Sequence, residues 1–333
     1  MKKQNLSYKD AGVDTEKADE IVEDIGVLRA RTEGKHKLMQ SFGLFAASFD
    51  LSPWKRPVIQ VACDGVGTKI ELLMKYDMPE VAGVDLVGMN VNDVLTSNAL
   101  PVLFLDYVGI HNVSEAPIAR MIDGLTRALA DCDCVLAGGE TAEMPGLVHE
   151  GILELSGFVV GVAEKEEILD PAEICAGDAI LGIPSNGIHA NGFSLVRKLM
   201  ANDPELIPEA LIPDLLAPTR IYYPEVMALR AAGIRPRGMA HITGGGIRGN
   251  FCRILGEGLG ADLTLPEWKN PAARRIVEAI QLEDAIHAFN MGIGWMIVVR
   301  PADLAAARAA LPEAVLLGEV TQTGRIEVKV PWA

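Results

Sequence analysis

Residues 57–69 read PVIQVACDGVGTK. An apolar, β-branched run of strand character ends at Ala62, and the chain then leaves through two glycines, with Asp64 on one side and Lys69 on the other. Such an exit has two readings. It is a tight turn, or it is a phosphate site in which Gly65, Gly67 and Thr68 let backbone N–H groups approach an anion while Lys69 supplies positive charge. The spacing is not that of the P-loop, so no standard nucleotide motif decides between them.

Outward from this stretch, apolar runs alternate with helical patterns. PVLFLDYV (101–108), CVLAG (134–138) and LSGFVVGVA (155–163) read as strands. Between them, IARMIDGLTRALA places Ile118, Met121, Ile122, Leu125 and Leu129 on one helical stripe, and GVDLVGMNVNDVLTSNA (83–99) reads as a further helix. The charged, proline-containing stretch EKEEILDPAEICAGD (164–178) breaks the series. A second series then begins with the strand AILGIP (179–184), followed by a helix around FSLVRKLM (193–200), the segment AHITGGGIRGN (240–250) and the run FNMGIGWMIVV (289–299). A chain of 333 residues exceeds one average core, so two domains are expected, 1–170 and 171–333. The class is α/β (α+β), with helices covering a mixed sheet.

Composition narrows the function. Hydrophobic residues make up 49% and charged residues 23%, as in folded soluble proteins. The start MKKQNLSYKD has no apolar segment of a signal peptide, and no run spans a bilayer, so a cytoplasmic protein without membrane contact is expected. Five cysteines (Cys63, Cys132, Cys134, Cys175, Cys252) lack C-x-x-C spacing, which suits reduced thiols better than disulfides or zinc. Cys132 and Cys134 read as packing residues. The net charge of −15 opposes nucleic-acid binding. It also opposes any phosphate ligand, which must be held by local lysines, amides or a divalent cation.

Four small-residue loops recur: DGVGTK (64–69), AGGETAEMPG (137–146), SNGIHANG (185–192) and HITGGGI (241–247). Loops at strand ends and helix N-termini are where α/β proteins bind anions. Asp64, Asp93 and Glu140 sit beside small or amide residues. They cap turns or face solvent, or they seat Mg2+ against phosphates. His189, flanked by Gly187, Asn191 and Gly192, is a structural imidazole or one with room for a ligand. Thr243, Gly244, Gly245 and Gly246 form a hinge or an amide nest for phosphate.

Together LSYKDAGVD (6–14), DGVGTK, GVDLVGMNVND (83–93), FLDY (104–107), GGETAEMPG (138–146), HANGFSLVRK (189–198), LAPTRIY (216–222), HITGGG (241–246) and FNMGIG (289–294) resemble the aminoimidazole ribonucleotide synthetase family. The matches stay collinear from Leu6 to Gly294. Two segments depart from the family pattern. Gly43 is the only glycine of KLMQSFGLFAAS (37–48), a segment expected to fold over the nucleotide. After HITGGG the family's acid and proline are absent from IRGNFCRIL (247–255), although Asn250 and Arg253 remain.

The resemblance implies two α/β domains, a homodimer paired through its N-terminal sheets, and an ATP site without a P-loop. It implies ATP-dependent closure of an imidazole ring on a phosphoribosyl substrate in purine biosynthesis. An amidine nitrogen attacks a formamide carbon whose oxygen has been phosphorylated to an iminophosphate, and phosphate leaves. By the same resemblance, Asp64, Asp93 and Glu140 hold Mg2+, and Gly65, Gly67, Thr68, Lys69, Gly138, Gly139 and Glu140 contact ATP. Lys69, His189 and Asn191 serve catalysis, and Thr243, Gly244, Gly245 and Gly246 hold the ribose phosphate. The alternatives are another ATP-dependent superfamily member, such as a thiamine-monophosphate kinase, or an ATP-binding regulatory protein without turnover. Selenophosphate synthesis is disfavoured, since 35–50 contain no cysteine.

Overall fold

The computed structural model describes residues 24–40, 45–112 and 117–333; LSYKDAGVD and Gly43 lie outside them. The chain divides into two compact units. One takes in residues up to Pro53, Val61–Asn90 and Pro101–Val160; the other takes in Trp54–Gln60, Val91–Leu100 and Gly161–Ala333. No helix among the described residues is long and apolar enough to cross a membrane.

The first sheet has four strands, β1 (Pro57–Gly65), β2 (Leu100–Ile110), β3 (Val135–Glu143) and β4 (Leu153–Glu164), in the order β1-β4-β2-β3 with β2 and β3 parallel. With it go helices α1 (Lys69–Lys75), α2 (Pro79–Leu95) and α3 (Ile118–Ala130). The apolar stripe of α3 is buried throughout. Glycines in α2 and α3 cost helix propensity, and the packing explains them. A Cβ on Gly83 would strike the Met121 carbonyl, and one on Gly124 would strike the Glu80 carbonyl. The two helices therefore cross backbone to backbone. Opposite, Gly157 of β4 makes room for Leu86 and Asn90 of α2 and the Phe104 ring of β2.

Two expectations change here. The stretch AGGETAEMPG is not a loop at its start: β3 runs on to Glu143, paired with β2 as far as Ile110. Nor does a loop extend from Asp64 to Lys69, because β1 continues through Gly65 and α1 begins at Lys69. In both places the partner strand or helix, which is remote in sequence, supplies order that the glycines alone do not suggest.

The second sheet has six strands: β5 (Ala179–Pro184), β6 (Gly238–His241), β7 (Gly260–Thr264), β8 (Ile293–Val299), β9 (Val315–Thr321) and β10 (Ile326–Lys329). Their order is β10-β7-β9-β5-β8-β6, antiparallel except for the β10–β7 pair. Every residue of β8 is buried, as the unbroken run GWMIVV requires of a strand covered on both faces. Helix α4 (Phe193–Asn202) follows the IHANG loop, and α5 (Gly246–Phe251) follows the glycine triplet. Cys132 and Cys134 are buried as packing residues, and all five thiols are free.

Candidate active site

In the first unit, Asn90 of α2 treats Asp64 as a strand partner would. The Asp64 N–H donates to Asn90 Oδ1 at 2.9 Å, and Asn90 Nδ2 donates to the Asp64 carbonyl at 3.1 Å. The Asp64 carboxylate turns onto its own loop, accepting from the Gly65 N–H at 2.7 Å. Gly67 adopts a left-handed φ of 63°, and a Cβ there would meet nothing within 4 Å. The loop is thus fixed on one side and open on the other. Lys69, by contrast, points inward. Its ammonium is fully buried 2.8 Å from Asp85 of α2, and burial lowers its pKa while Asp85 acts in the opposite direction.

On β3, Gly138, Gly139 and Glu140 stand in register with Leu105, Asp106 and Tyr107. Gly138 borders open space, and Glu140 is exposed. Gly139 must be glycine, because a Cβ would collide with the Asp106 carboxylate. Asp106 is 7% exposed, and burial pushes its carboxyl up to about 7.

In the second unit, two of the predicted loops meet. Asn191 Oδ1 would lie 3.3 Å from a Cβ on Gly244, so the IHANG loop faces the glycine triplet. Gly245 and Gly246 take φ values of 93° and 63°, which only glycine adopts freely. Asn250 braces this turn: its Nδ2 donates to the carbonyls of Thr243 and Gly244 at 3.2 Å and of Gly246 at 2.8 Å, and Thr243 Oγ1 donates to its Oδ1 at 3.2 Å. Asn290 does the same for the IHANG side. It accepts from Ser185 Oγ at 3.1 Å and donates to the Gly187 carbonyl at 2.9 Å.

His189 is almost wholly buried, with an unusual φ of 60° for a residue bearing a side chain. Its Nε2 accepts from the Arg220 N–H at 3.4 Å. Gly294 of β8 lets the ring in, since a Cβ there would strike the Tyr222 hydroxyl and lie 2.5 Å from His189 Cε1. Tyr222 stacks on the buried Trp295, with ring centroids 5.2 Å apart. Arg220 donates to Glu225 and, at 2.7 Å, to Glu313. Asp93, near the end of α2, lies 3.0 Å from Nδ1 of His241.

The structure therefore gathers His189, Asn191 and the 243–246 turn within the second unit, and Asp64 with the 65–68 loop within the first. Two cavities of about 290 and 300 Å3 are lined by residues outside these loops, one by Arg248 and Cys252, the other by Arg220 and Glu313. Among the described residues, no three His, Cys, Asp or Glu side chains are arranged as a ready-made metal cage. All three predicted metal ligands are carboxylates, and Mg2+ commonly takes one or two of these and completes its shell with phosphate and water oxygens. Taken separately, Glu140 of the first unit is exposed and Asp93 of the second is half-exposed, so each has a carboxylate open to the kind of oxygen ligation that such a cation takes.

Sequence reading gave no role to four asparagines, Asn90, Asn92, Asn250 and Asn290, each of which pins a loop or a backbone segment by its amide. A signal was present for the first two. Asparagine is a poor residue for a helix interior, and MNVND sets two of them among apolar neighbours.

The N-terminal domain model of the AIR synthase related proteins matches residues 46–163, and the C-terminal domain model matches residues 176–331. Phosphoribosylformylglycinamidine cyclo-ligase from Thermoanaerobacter pseudethanolicus is 37% identical over 333 residues, covering 96% of this chain and 98% of its own length. The enzyme of that name from Methylobacillus flagellatus is 39% identical over 318 residues, covering 93% and 91%. Among solved structures, E. coli HypE matches with a TM-score of 0.65 at 16% identity, covering 93% of each chain. Thiamine-monophosphate kinase from Stenotrophomonas maltophilia matches with a TM-score of 0.64 at 18% identity, covering 91% and 94%. A HypE solved in complex with ATP gives 0.66 at 14% identity, covering 94% and 91%. At such identities the structural likeness is one of fold alone. Both domain models and the near full-length identity lead to one conclusion: the chain belongs to the AIR synthase related proteins, in the family of the phosphoribosylformylglycinamidine cyclo-ligases.

Proposed function

We propose that this protein is an ATP-dependent cyclo-ligase that closes the imidazole ring of formylglycinamidine ribonucleotide, in the cytoplasm, as a step of purine biosynthesis. The observation that carries the reading is 37–39% identity, over more than nine-tenths of the chain, to enzymes of that name. The kinase alternative is supported by solved structures that are 18% identical and share the fold alone.

The chemistry needs a leaving group, since a formamide oxygen does not depart unaided. Transfer of the ATP γ-phosphoryl group to that oxygen gives an iminophosphate. The amidine nitrogen then attacks the adjacent carbon, sheds a proton and expels phosphate. Phosphoryl transfer depends chiefly on alignment and charge neutralisation. In this reading residues 1–170 bind ATP and 171–333 complete the enzyme. The backbone of Gly65, Gly67 and Thr68 cradles phosphate, and Gly138, Gly139 and Glu140 border the nucleotide. Asp64, Asp93 and Glu140 would hold Mg2+, which neutralises phosphate charge when bound. Lys69 anchors the first turn of α1 through Asp85, and direct contact with a phosphate would require its ammonium to leave that partner.

Substrate belongs at the paired loops of the second unit. His189 and Asn191 would bind the formyl end and accept the proton lost in ring closure. The turn from Thr243 to Gly246, stiffened by Asn250, would take the ribose phosphate. The test is direct: purified protein with ATP, Mg2+ and formylglycinamidine ribonucleotide should yield one ADP for each aminoimidazole product. ATP consumption with thiamine monophosphate and none with the amidine would overturn the reading. Asp64→Asn should suppress ring closure, and a variant near wild type would remove Asp64 from the metal.

A further inference from the structure

Asn92 is fully buried on α2, and its amide has only one possible orientation. The Tyr222 N–H donates to its Oδ1 at 2.9 Å, and its Nδ2 donates to the Arg220 carbonyl at 2.9 Å. Backbone groups cannot exchange these roles. The same Nδ2 faces Nε2 of His241 at 3.4 Å. A ring nitrogen that meets an NH2 group must accept, so the imidazole carries its proton on Nδ1. Nδ1 lies 3.0 Å from Asp93 Oδ1 and donates to it.

Both nitrogens of His241 are thereby engaged, and the residue is only 5% exposed, with its ring tilted against Trp295. Nothing in this arrangement offers a nitrogen to substrate. Asp93 differs: its side chain is 41% exposed, with one oxygen held and the other turned to no partner among the described residues.

We infer that His241 is a positioning residue for Asp93. Through Asn92 it takes its tautomer from the backbone of 220–222, and it fixes one carboxylate oxygen so that the other is presented to the divalent cation accompanying the nucleotide. The inference rests on the reading of Asp93 as a ligand of that cation. Outer-sphere partners of this kind typically change metal affinity by about 10- to 100-fold.

Two measurements test it. In 15N-histidine-labelled wild type without nucleotide, long-range 1H–15N correlations should show His241 as the Nδ1–H tautomer, and the Nε2–H tautomer would overturn the inference. His241→Asn identifies the signal. Calorimetric titration with AMPPNP, with Mg2+ and with EDTA, then measures what the cation adds to nucleotide affinity. His241→Asn, whose amide stands where Nδ1–H stood, should keep most of that gain. His241→Gln, whose amide reaches the Nε2 position instead, should lose about tenfold or more of it. A gain that survives His241→Gln overturns the positioning role alone. Absence of any gain in wild type overturns the cation reading of Asp93 and this role with it.

Discussion

Asp106 sits beneath Gly139 with no ion pair among the described residues, and its burial has a measurable consequence. Its carboxyl is raised to about 7 in the fold, against an ordinary aspartate value near 3.9. Between those values the folded protein holds a proton that the unfolded chain has released. Protonation there favours folding, and the stability it gives is lost as pH rises through about 7. Asp106→Asn cannot lose it. Relative to wild type, the variant should gain roughly 3 kcal/mol between about pH 5 and pH 8, read from urea unfolding at each pH. A constant difference between the two would show that Asp106 does not titrate in this range. Lys69 poses the opposite case, a buried cation with its counter-charge. Lys69→Met removes the ammonium that faces the buried Asp85 carboxylate and should cost about 3–5 kcal/mol. Lys69→Met combined with Asp85→Leu should recover most of that loss by the same unfolding assay. If the folded double variant also loses AMPPNP affinity, Lys69 serves the phosphates as well as the fold.

At the level of elements, the crossing of α2 and α3 depends on two missing side chains. Gly124→Ala improves helix propensity by about 1 kcal/mol, yet its methyl group meets the Glu80 carbonyl. The clash should prevail and lower Tm, and a rise in Tm would show that the helices part without cost. This crossing also explains what could be read from the sequence and what could not. The strands at 57–62, 101–108 and 179–184 and the stripe of α3 are local patterns of period two or near 3.6, and they emerged close to where they were expected. The helix expected at 83–99 begins earlier and ends at Leu95, because its glycines serve a neighbour rather than a turn. GGETAE looked like a loop because its order comes from β2, some thirty residues away. The motifs identified the family and the loops within 185–192 and 241–247. The partners of the asparagine pins and the pairing of His241 with Asp93 were illegible, since each joins residues that only the fold brings together.

For the molecule as a whole, the first sheet carries large apolar side chains that are exposed among the described residues. Ile59, Val61, Leu105 and Phe158 are 53%, 71%, 38% and 46% exposed on β1, β2 and β4. Large apolar patches of this kind mark contact surfaces, and we propose that a second copy of the chain covers these side chains. Sedimentation should give a dimer for wild type and a monomer for Val61→Glu with Phe158→Glu; a double variant that still sediments as a dimer would place the contact elsewhere. The packing of Trp295 has a practical consequence as well. Its indole touches both the Tyr222 and His241 rings, shut off from solvent, while Tyr222 adjoins the His189 loop. Its emission should therefore be blue-shifted and sensitive to how those rings sit. With no dye attached, a fluorimeter could follow substrate arrival through an intrinsic chromophore already wired to the loops.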